Sequence, residues 1–353
     1  MVAPELRTRI TQLLKCKYPI ILPGMSWIST PELVAAVSNA GGVGILATGP
    51  LNEMTTRQSI QRIRELLVDP NLPFGIGTTL LMPGATENAK VAIEEKVPII
   101  NVSLGKADWI VKAVHDYGGT VISTVTNRKH AESAVEIGTN ILMVTGHEAA
   151  AHGGDVTSLV LIPAFAQQFP NIPIVAAGGF ANGRGLAAAL ALGADGVAMG
   201  SRFAVSQESP LPLPIQDAVI TNTESDTIYG SNFDGIPARV LKSPMSQQLM
   251  QSRPFWGTII YRAINAARTM NIPVWKILPG LITQYDKMFM IAQFGAASER
   301  LMMATVHGDI ENGIQFIGQS QGLIHDNPNV DTIIQRIIAE AHEVTSTTAN
   351  LFQ

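Results

Sequence analysis

The segment GHEAAAHGGD (146–155) places His147 and His152, with Glu148 and Asp155, among alanines and glycines. Small neighbours leave an imidazole open to a ligand, and an imidazole exchanges protons near neutral pH. His152 is the candidate acid–base group. His147 is the weaker one, and an incidental loop histidine is the competing reading for both. A metal site needs three or four ligands at consistent spacing. His147 and His152 with Glu148 or Asp155 match no familiar spacing, so no metal is expected. A second constellation is AAGGFANGRG (176–185) followed by MGSRF (199–203). Glycines there let backbone approach a ligand closely, and free N–H groups at a helix start attract an anion. Gly178, Gly179, Gly200 and the Ser201 hydroxyl are therefore a candidate phosphate site, with simple tight turning as the alternative. The chain contains no GxxxxGK[ST] and no GxSxG, and GGFANG does not fit GxGxxG. A nucleotide P-loop, a serine-hydrolase elbow and a dinucleotide fingerprint thus lack support.

Eight short apolar runs are positioned to carry these loops: 19–24, 42–48, 73–80, 97–103, 120–125, 140–145, 172–177 and 195–200. They are rich in Val and Ile and apolar throughout, as strands buried on both faces read. Helix-length segments lie between them at 30–40, 56–67, 86–96, 106–118, 127–138, 157–169 and 182–193. Thr30-Pro31 reads as an N-cap followed by Pro at the first helical position. Gly118, Gly138 and Gly193 fall where helices should stop. An eighth helix is offered at 329–344. This predicts a (βα)8 TIM barrel formed by 1–207 plus 326–353, with a mainly helical insertion or lid, 208–325, between strand eight and helix eight. A doubly wound sheet alternates similarly, but eight near-equal units favour closure. Helical patterns at 254–270 and 281–304 belong to the insertion. Met288, Met290, Met302 and Met303 within it read as core rather than as a cofactor box.

Active sites of such barrels lie at the C-terminal strand ends. Gly24, Met25 and Ser26 follow strand one, Thr78 and Thr79 end strand three, and Thr124 lies at the end of strand five. Trp27 either walls a pocket or packs on the insertion. No strand end carries a lysine, so a Schiff-base aldolase has no nucleophile.

Composition narrows the classes further. The chain has 353 residues, 46% hydrophobic and 15% charged, with net charge −4. It is too apolar for a disordered chain, and without a Lys/Arg block it lacks the footprint of a nucleic-acid binder. The single Cys16 cannot form an internal disulfide. No signal peptide or membrane span is read, so a soluble cytoplasmic protein is expected.

The motifs PGMSWISTPELVAAVSNAGGVGIL, GHEAAAHGG, IPIVAAGGFANGRGLAAALALGADGVAMGSRF, FDGIPARVL (233–241) and IGQSQGLIHD (317–326) together resemble the nitronate monooxygenase family, formerly 2-nitropropane dioxygenase, from about Tyr18 to His342. The family also includes FMN-dependent enoyl-acyl-carrier-protein reductases. The resemblance implies a barrel that binds FMN, with Gly178, Gly179, Gly200 and Ser201 on its phosphate and Gly24, Met25 and Ser26 along the isoalloxazine. It makes His152 the catalytic histidine of an E-A-x-x-H pattern. The activity it implies is oxidation of alkyl nitronates with O2 to carbonyl compounds and nitrite. The alternative is NAD(P)H-dependent reduction of an enoyl thioester, with His152 protonating the α-carbon. Partners would be the small substrate and O2, with neither nucleic acid nor membrane, and a homodimer is left open. Three positions depart from the family's pattern: Gly77 stands where an Asn is common, Thr124 where some members have Lys, and Thr145 where some have Asp. A flavin-free phosphate-binding barrel, an isomerase for example, would keep the glycine loops alone.

Overall fold

Strands that are apolar on both sides need cover on both faces, which a closed barrel inside a ring of helices supplies. In a computed structural model, which describes residues 6–251 and 297–352, the eight strands are β1 (Ile20–Leu22), β2 (Val43–Ala47), β3 (Phe74–Thr79), β4 (Ile99–Ser103), β5 (Thr120–Val125), β6 (Ile141–Thr145), β7 (Ile174–Ala177) and β8 (Gly196–Ala198). All neighbours are parallel, and β8 pairs back onto β1 to close the barrel. Closure rules out the doubly wound sheet.

The intervening helices are α2 (Pro31–Asn39), α3 (Glu53–Leu66), α4 (Ala85–Glu94), α5 (Asp108–Asp116), α6 (Arg128–Glu136), α7 (Ser158–Gln168) and α8 (Gly183–Ala191), preceded by α1 (Arg9–Leu14). Gly118, Gly138 and Gly193 adopt φ of 77°, 90° and 95° immediately beyond α5, α6 and α8. Only glycine adopts this left-handed stop without strain. Thr30 occupies the N-cap of α2 with Pro31 behind it, but its side chain makes no capping bond. The long C-terminal helix, Val330–Asn350, packs on α8 and α2 and so takes the eighth place in the ring.

The barrel interior is filled by Ile21, Val43, Ile45, Ile99, Ile122, Ile141, Met143 and Val175. Ile10, Leu14 and Cys16 join that cluster from below, so α1 and its following turn close the N-terminal end. Arg9 fastens α1 there, donating from Nε and Nη2 to the two carboxylate oxygens of Asp195, each at 2.7 Å. The plug has a measurable consequence. Burial pushes the Cys16 thiol up to about 12. The native protein should therefore release no thiol to a disulfide reagent at pH 8 and one after denaturation. Because the folded value is raised, the contribution to stability is complete below about 8.5, the ordinary thiol value, and falls away as pH rises toward 12.

The segment between β8 and the C-terminal helix begins with α9 (Gly200–Ala204) and α10 (Leu213–Thr221). An antiparallel ribbon of β9 (Thr227–Gly230) and β10 (Ala238–Leu241) follows, then α11 (Pro244–Gln251), a helix over 297–305 and a 3-10 turn at Gln319–Leu323. The ribbon adds two strands to a segment expected to be mainly helical. The helical pattern at 254–270, most of that at 281–304, and Met288 and Met290 lie outside the described residues. Arg202, in α9, donates from Nη1 to Asp326 Oδ1 at 3.0 Å and from Nη2 to Asp326 O at 2.7 Å. This contact clasps the two ends of the inserted segment together.

Candidate active site

The loop after β6 separates its four polar residues by role. His147 shares a hydrogen bond between Nδ1 and Gly154 O at 2.9 Å, and its ring meets Tyr229 edge-on at 4.5 Å. Its carbonyl accepts from Arg239 Nε and Nη2 at 3.2 and 3.0 Å. Burial holds that guanidinium below its ordinary value. His147 thus ties the loop to the ribbon. Glu148 accepts from Ser158 N at 3.1 and 2.9 Å and from Ser158 Oγ at 3.0 Å. Its carboxylate therefore satisfies the start of α7, where negative charge is favoured. Asp155 is exposed. The two histidines do not converge on a common point of coordination, since each has its own partner.

His152 remains. Its Nε2 lies 2.7 Å from Asp234 Oδ2, and Asp234 is 2% exposed. Oδ1 of the same carboxylate accepts from Ile236 N at 3.1 Å. An acceptor at that position places the ring proton on Nε2. Nδ1 makes no hydrogen bond among the described residues. Asp234 comes from the turn of the β9–β10 ribbon, so the inserted segment supplies the partner of His152. The motif FDGIPARVL stood out in the sequence, but no role for Asp234 was legible there. The loop is held in place by Ala151, whose N and O both pair with Arg239 while its φ is 53°. Trp27 and Leu104, after β1 and β4, are also left-handed, at 62° and 50°. Such backbone costs about 1–3 kcal/mol each and collects at functional mouths. Replacing Asp234 by Asn should lower turnover by roughly tenfold or more, less than loss of His152 itself. Steady-state kinetics on the cofactor-loaded protein would show it.

The glycine segments after β7 and β8 lie at the barrel mouth. Gly178 and Gly179 have φ of 91° and 87°, and a Cβ on Gly178 would stand 3.0 Å from Ala149 N and Gly146 O. Gly200 opens α9, where a Cβ would come within 3.3 Å of Met25 Sδ. Ser201 is buried, and its Oγ accepts from Gly318 N at 3.0 Å. Gly318, in the IGQSQG motif, packs so closely on the His152 loop that a Cβ would lie 2.9 Å from Glu148 O. Three separate stretches of backbone therefore meet at this cradle.

Beside it opens a cleft at the barrel mouth, lined among others by Gly24, Ser26, Thr48, Gly77, Asn101 and Ser103. A Cβ on Gly24 would lie 3.6 Å from Gly77 Cα, so two glycines make a floor of bare backbone. Thr78 does not present its hydroxyl here. Strand parity sends Phe74, Ile76 and Thr78 outward, and Thr78 Oγ1 donates to Ala85 O at 3.2 Å. It offers backbone alone, and Gly77 takes the inward place. Thr124 points into the barrel beside Asn101 and Met143. Met25 N donates to Ser29 Oγ at 3.0 Å, which shapes the turn after β1, and Ser26 is exposed.

The closed parallel barrel thus carries the His152–Asp234 pair and the glycine loops at its strand C-termini. Residues 7–340 match the family profile described as nitronate monooxygenase, and the chain belongs to that family. The family is generally flavin-dependent, and the protein is an oxidoreductase. It is 33% identical to (3aS,4S,5R,7aS)-5-hydroxy-7a-methyl-1-oxo-octahydro-1H-indene-4-carboxyl-CoA dehydrogenase of Rhodococcus jostii, covering 95% of this chain and 96% of that one. It is 31% identical to a protein named probable nitronate monooxygenase of Staphylococcus saprophyticus, over 68% of this chain and 79% of that one. Among solved structures, FabK from Thermotoga maritima superposes with a TM-score of 0.82 at 32% identity, covering 98% of this chain and 99% of that one. No helix among the described residues is long and apolar enough to cross a membrane.

Proposed function

We propose that the protein is an FMN-dependent oxidoreductase that exchanges a hydride and a proton with the Cα–Cβ bond of an acyl thioester, in the acyl-CoA class. The observation that carries this reading is the His152–Asp234 pair at 2.7 Å. A thioester α-carbon must gain or lose a proton as the neighbouring carbon gains or loses hydride, and an oriented imidazole on a buried carboxylate is built to handle that proton. A nitronate reaches its enzyme already deprotonated and has less need of the pair. The carboxyl-CoA dehydrogenase relative, matched end to end, supports the same choice.

The residues fit the cofactor. Gly178, Gly179, Gly200 and Ser201 would take the phosphate through backbone amides and one hydroxyl, the positive φ of Gly178 and Gly179 shaping the first turn. Gly24 and Gly77 leave a flat floor for a ring, with Met25 and Ser26 at its edge. Bound FMN supplies the hydride chemistry. His152 Nδ1 would hold the proton for the α-carbon, and Asp234 fixes the ring. Oxidation of a nitronate by O2 is the second reading, favoured by the family profile and the Staphylococcus relative.

The deciding experiment mixes FMN-loaded protein, reduced anaerobically, with a 2-enoyl-CoA, and separately mixes the oxidised protein with an alkyl nitronate in air. Rapid flavin reoxidation by the enoyl-CoA, with little O2 uptake on nitronate, is the expected result. Fast nitronate-dependent O2 uptake with an inert enoyl-CoA would replace the thioester reading by the second. A protein that takes up no FMN would overturn both.

A further inference from the structure

The β9–β10 ribbon carries two buried charges of opposite sign, Asp234 at 2% and Arg239 at 4% exposed. They share one hairpin, yet among the described residues Asp234 pairs with His152 and Arg239 with no carboxylate. Each charge is directed instead at the loop after β6, at a different end of it. Asp234 Oδ2 lies 2.7 Å from His152 Nε2. The Arg239 guanidinium donates from Nε and Nη2 to His147 O at 3.2 and 3.0 Å, and from Nη1 to Thr227 Oγ1 at 2.9 Å. Its centre lies 5.3 Å from that of the Tyr229 ring, and Tyr229 Oη donates to Gly153 O at 3.2 Å. A guanidinium is costly to desolvate, and here a carbonyl, a hydroxyl and a ring offset that cost without a counter-ion. An apolar side chain of similar length would fill the same space at lower cost.

The backbone pairing of Ala151 with residue 239 does not depend on that side chain. It holds Ala151 at a φ of 53°, a conformation that persists only where the surroundings fix it. His152 follows directly, so the place where the loop starts decides where the imidazole stands. We infer that the Arg239 side chain is a positioning residue for His152: it grips His147 O at the start of the loop while Asp234 holds the far end, and the two charges of the ribbon together set the imidazole. The inference rests on the reading of His152 as the acid–base group. Arginine suits this place because its planar fork gives two donors to one carbonyl and a third to Thr227, which a lysine ammonium cannot copy.

The test uses two variants. Arg239→Met removes the fork and keeps the bulk of the stem; Arg239→Lys keeps the charge at a single point of contact. Amide hydrogen exchange is read by mass spectrometry on peptides covering 147–153 and on the barrel strands, with thermal melts alongside. Arg239→Met should speed exchange in the loop by about tenfold or more while the strands keep wild-type rates. Reoxidation of the reduced, FMN-loaded protein by a 2-enoyl-CoA supplies the kinetic reading. Its saturating rate should fall about tenfold in Arg239→Met and about threefold in Arg239→Lys, with the half-saturating concentration unchanged, because a slightly misplaced group slows chemistry without weakening binding. A role in stability alone would lower the melting temperature and leave the loop exchange and the saturating rate of Arg239→Lys at wild-type values. That result overturns the inference even if Arg239→Met fails to fold. A His152→Gln variant that keeps the full rate, or a wild type inert to enoyl-CoA, would instead overturn the acid–base reading, and loop exchange would still decide whether Arg239 fixes the loop.

Discussion

Replacing His152 by alanine should, on the proposed function, lower turnover by roughly 10²–10⁴-fold without loss of FMN binding. The magnitude is that of removing a positioned acid–base group. Retention of cofactor follows from the architecture: the cradle of Gly178, Gly179, Gly200 and Ser201 is built from β7 and β8 loops and makes no bond to the imidazole. The visible spectrum and a kinetic trace on the same sample measure both parts. The substitution also affects stability, because Asp234 is 2% exposed and would lose its partner, keeping the bond from Ile236 N. A buried carboxylate deprived of its counterpart is costly. His152→Gln separates the two effects, since a glutamine amide can still donate to Asp234 Oδ2 but cannot carry a proton. Gln should restore the melting temperature and leave turnover as low as Ala. Full activity in either variant would exclude His152 as the acid–base group.

Gly44→Ala should destabilise the barrel by about 3 kcal/mol, the upper part of the range for overpacking. Its neighbours Val43 and Ile45 point into the barrel, so parity turns residue 44 outward against α2. A Cβ there would lie 2.3 Å from Val34 O and 2.7 Å from Val34 Cα. These are backbone atoms, which cannot rotate aside as a side-chain end can. Either α2 moves off the sheet or β2 moves inward. Gly44 N also donates to Ser38 Oγ at 3.2 Å, and Ser38 Oγ in turn donates to Pro73 O at 2.8 Å, so the shift would spread to β3. A lowered urea midpoint is the expected reading. Gly84→Ala is an instructive contrast: its Cβ would meet open space, and only its φ of 77° opposes the change. A midpoint for Gly44→Ala equal to wild type would show that helix and sheet have slack there.

Much of this molecule was legible in residue order because it depends on short-range periodicity. Each of the eight strands lies within its apolar run, since a strand covered on both faces must be apolar throughout. The stops at Gly118, Gly138 and Gly193 were legible because the left-handed backbone they need is a local demand. The glycine segments and the His152 loop are neighbours for a related reason: the fold places the ends of β6, β7 and β8 side by side, so loops on consecutive strands adjoin. The direction of Thr78 was also encoded, in the parity set by Phe74 and Ile76, although its position at a strand end suggested otherwise. What could not be read from order alone were the contacts made by the inserted segment. Asp234 lies 82 positions from His152 and reaches it because a ribbon, rather than a helix, carries it to the loop. Arg239 holds that loop from the same ribbon. Asn101 carries no motif, and its Nδ2 bonds to Ile122 O and Thr124 Oγ1 arise from strand packing. Periodicity specifies which face of an element is buried; which polar groups meet across the mouth depends on how barrel and insertion pack, and that packing is a property of the closed chain.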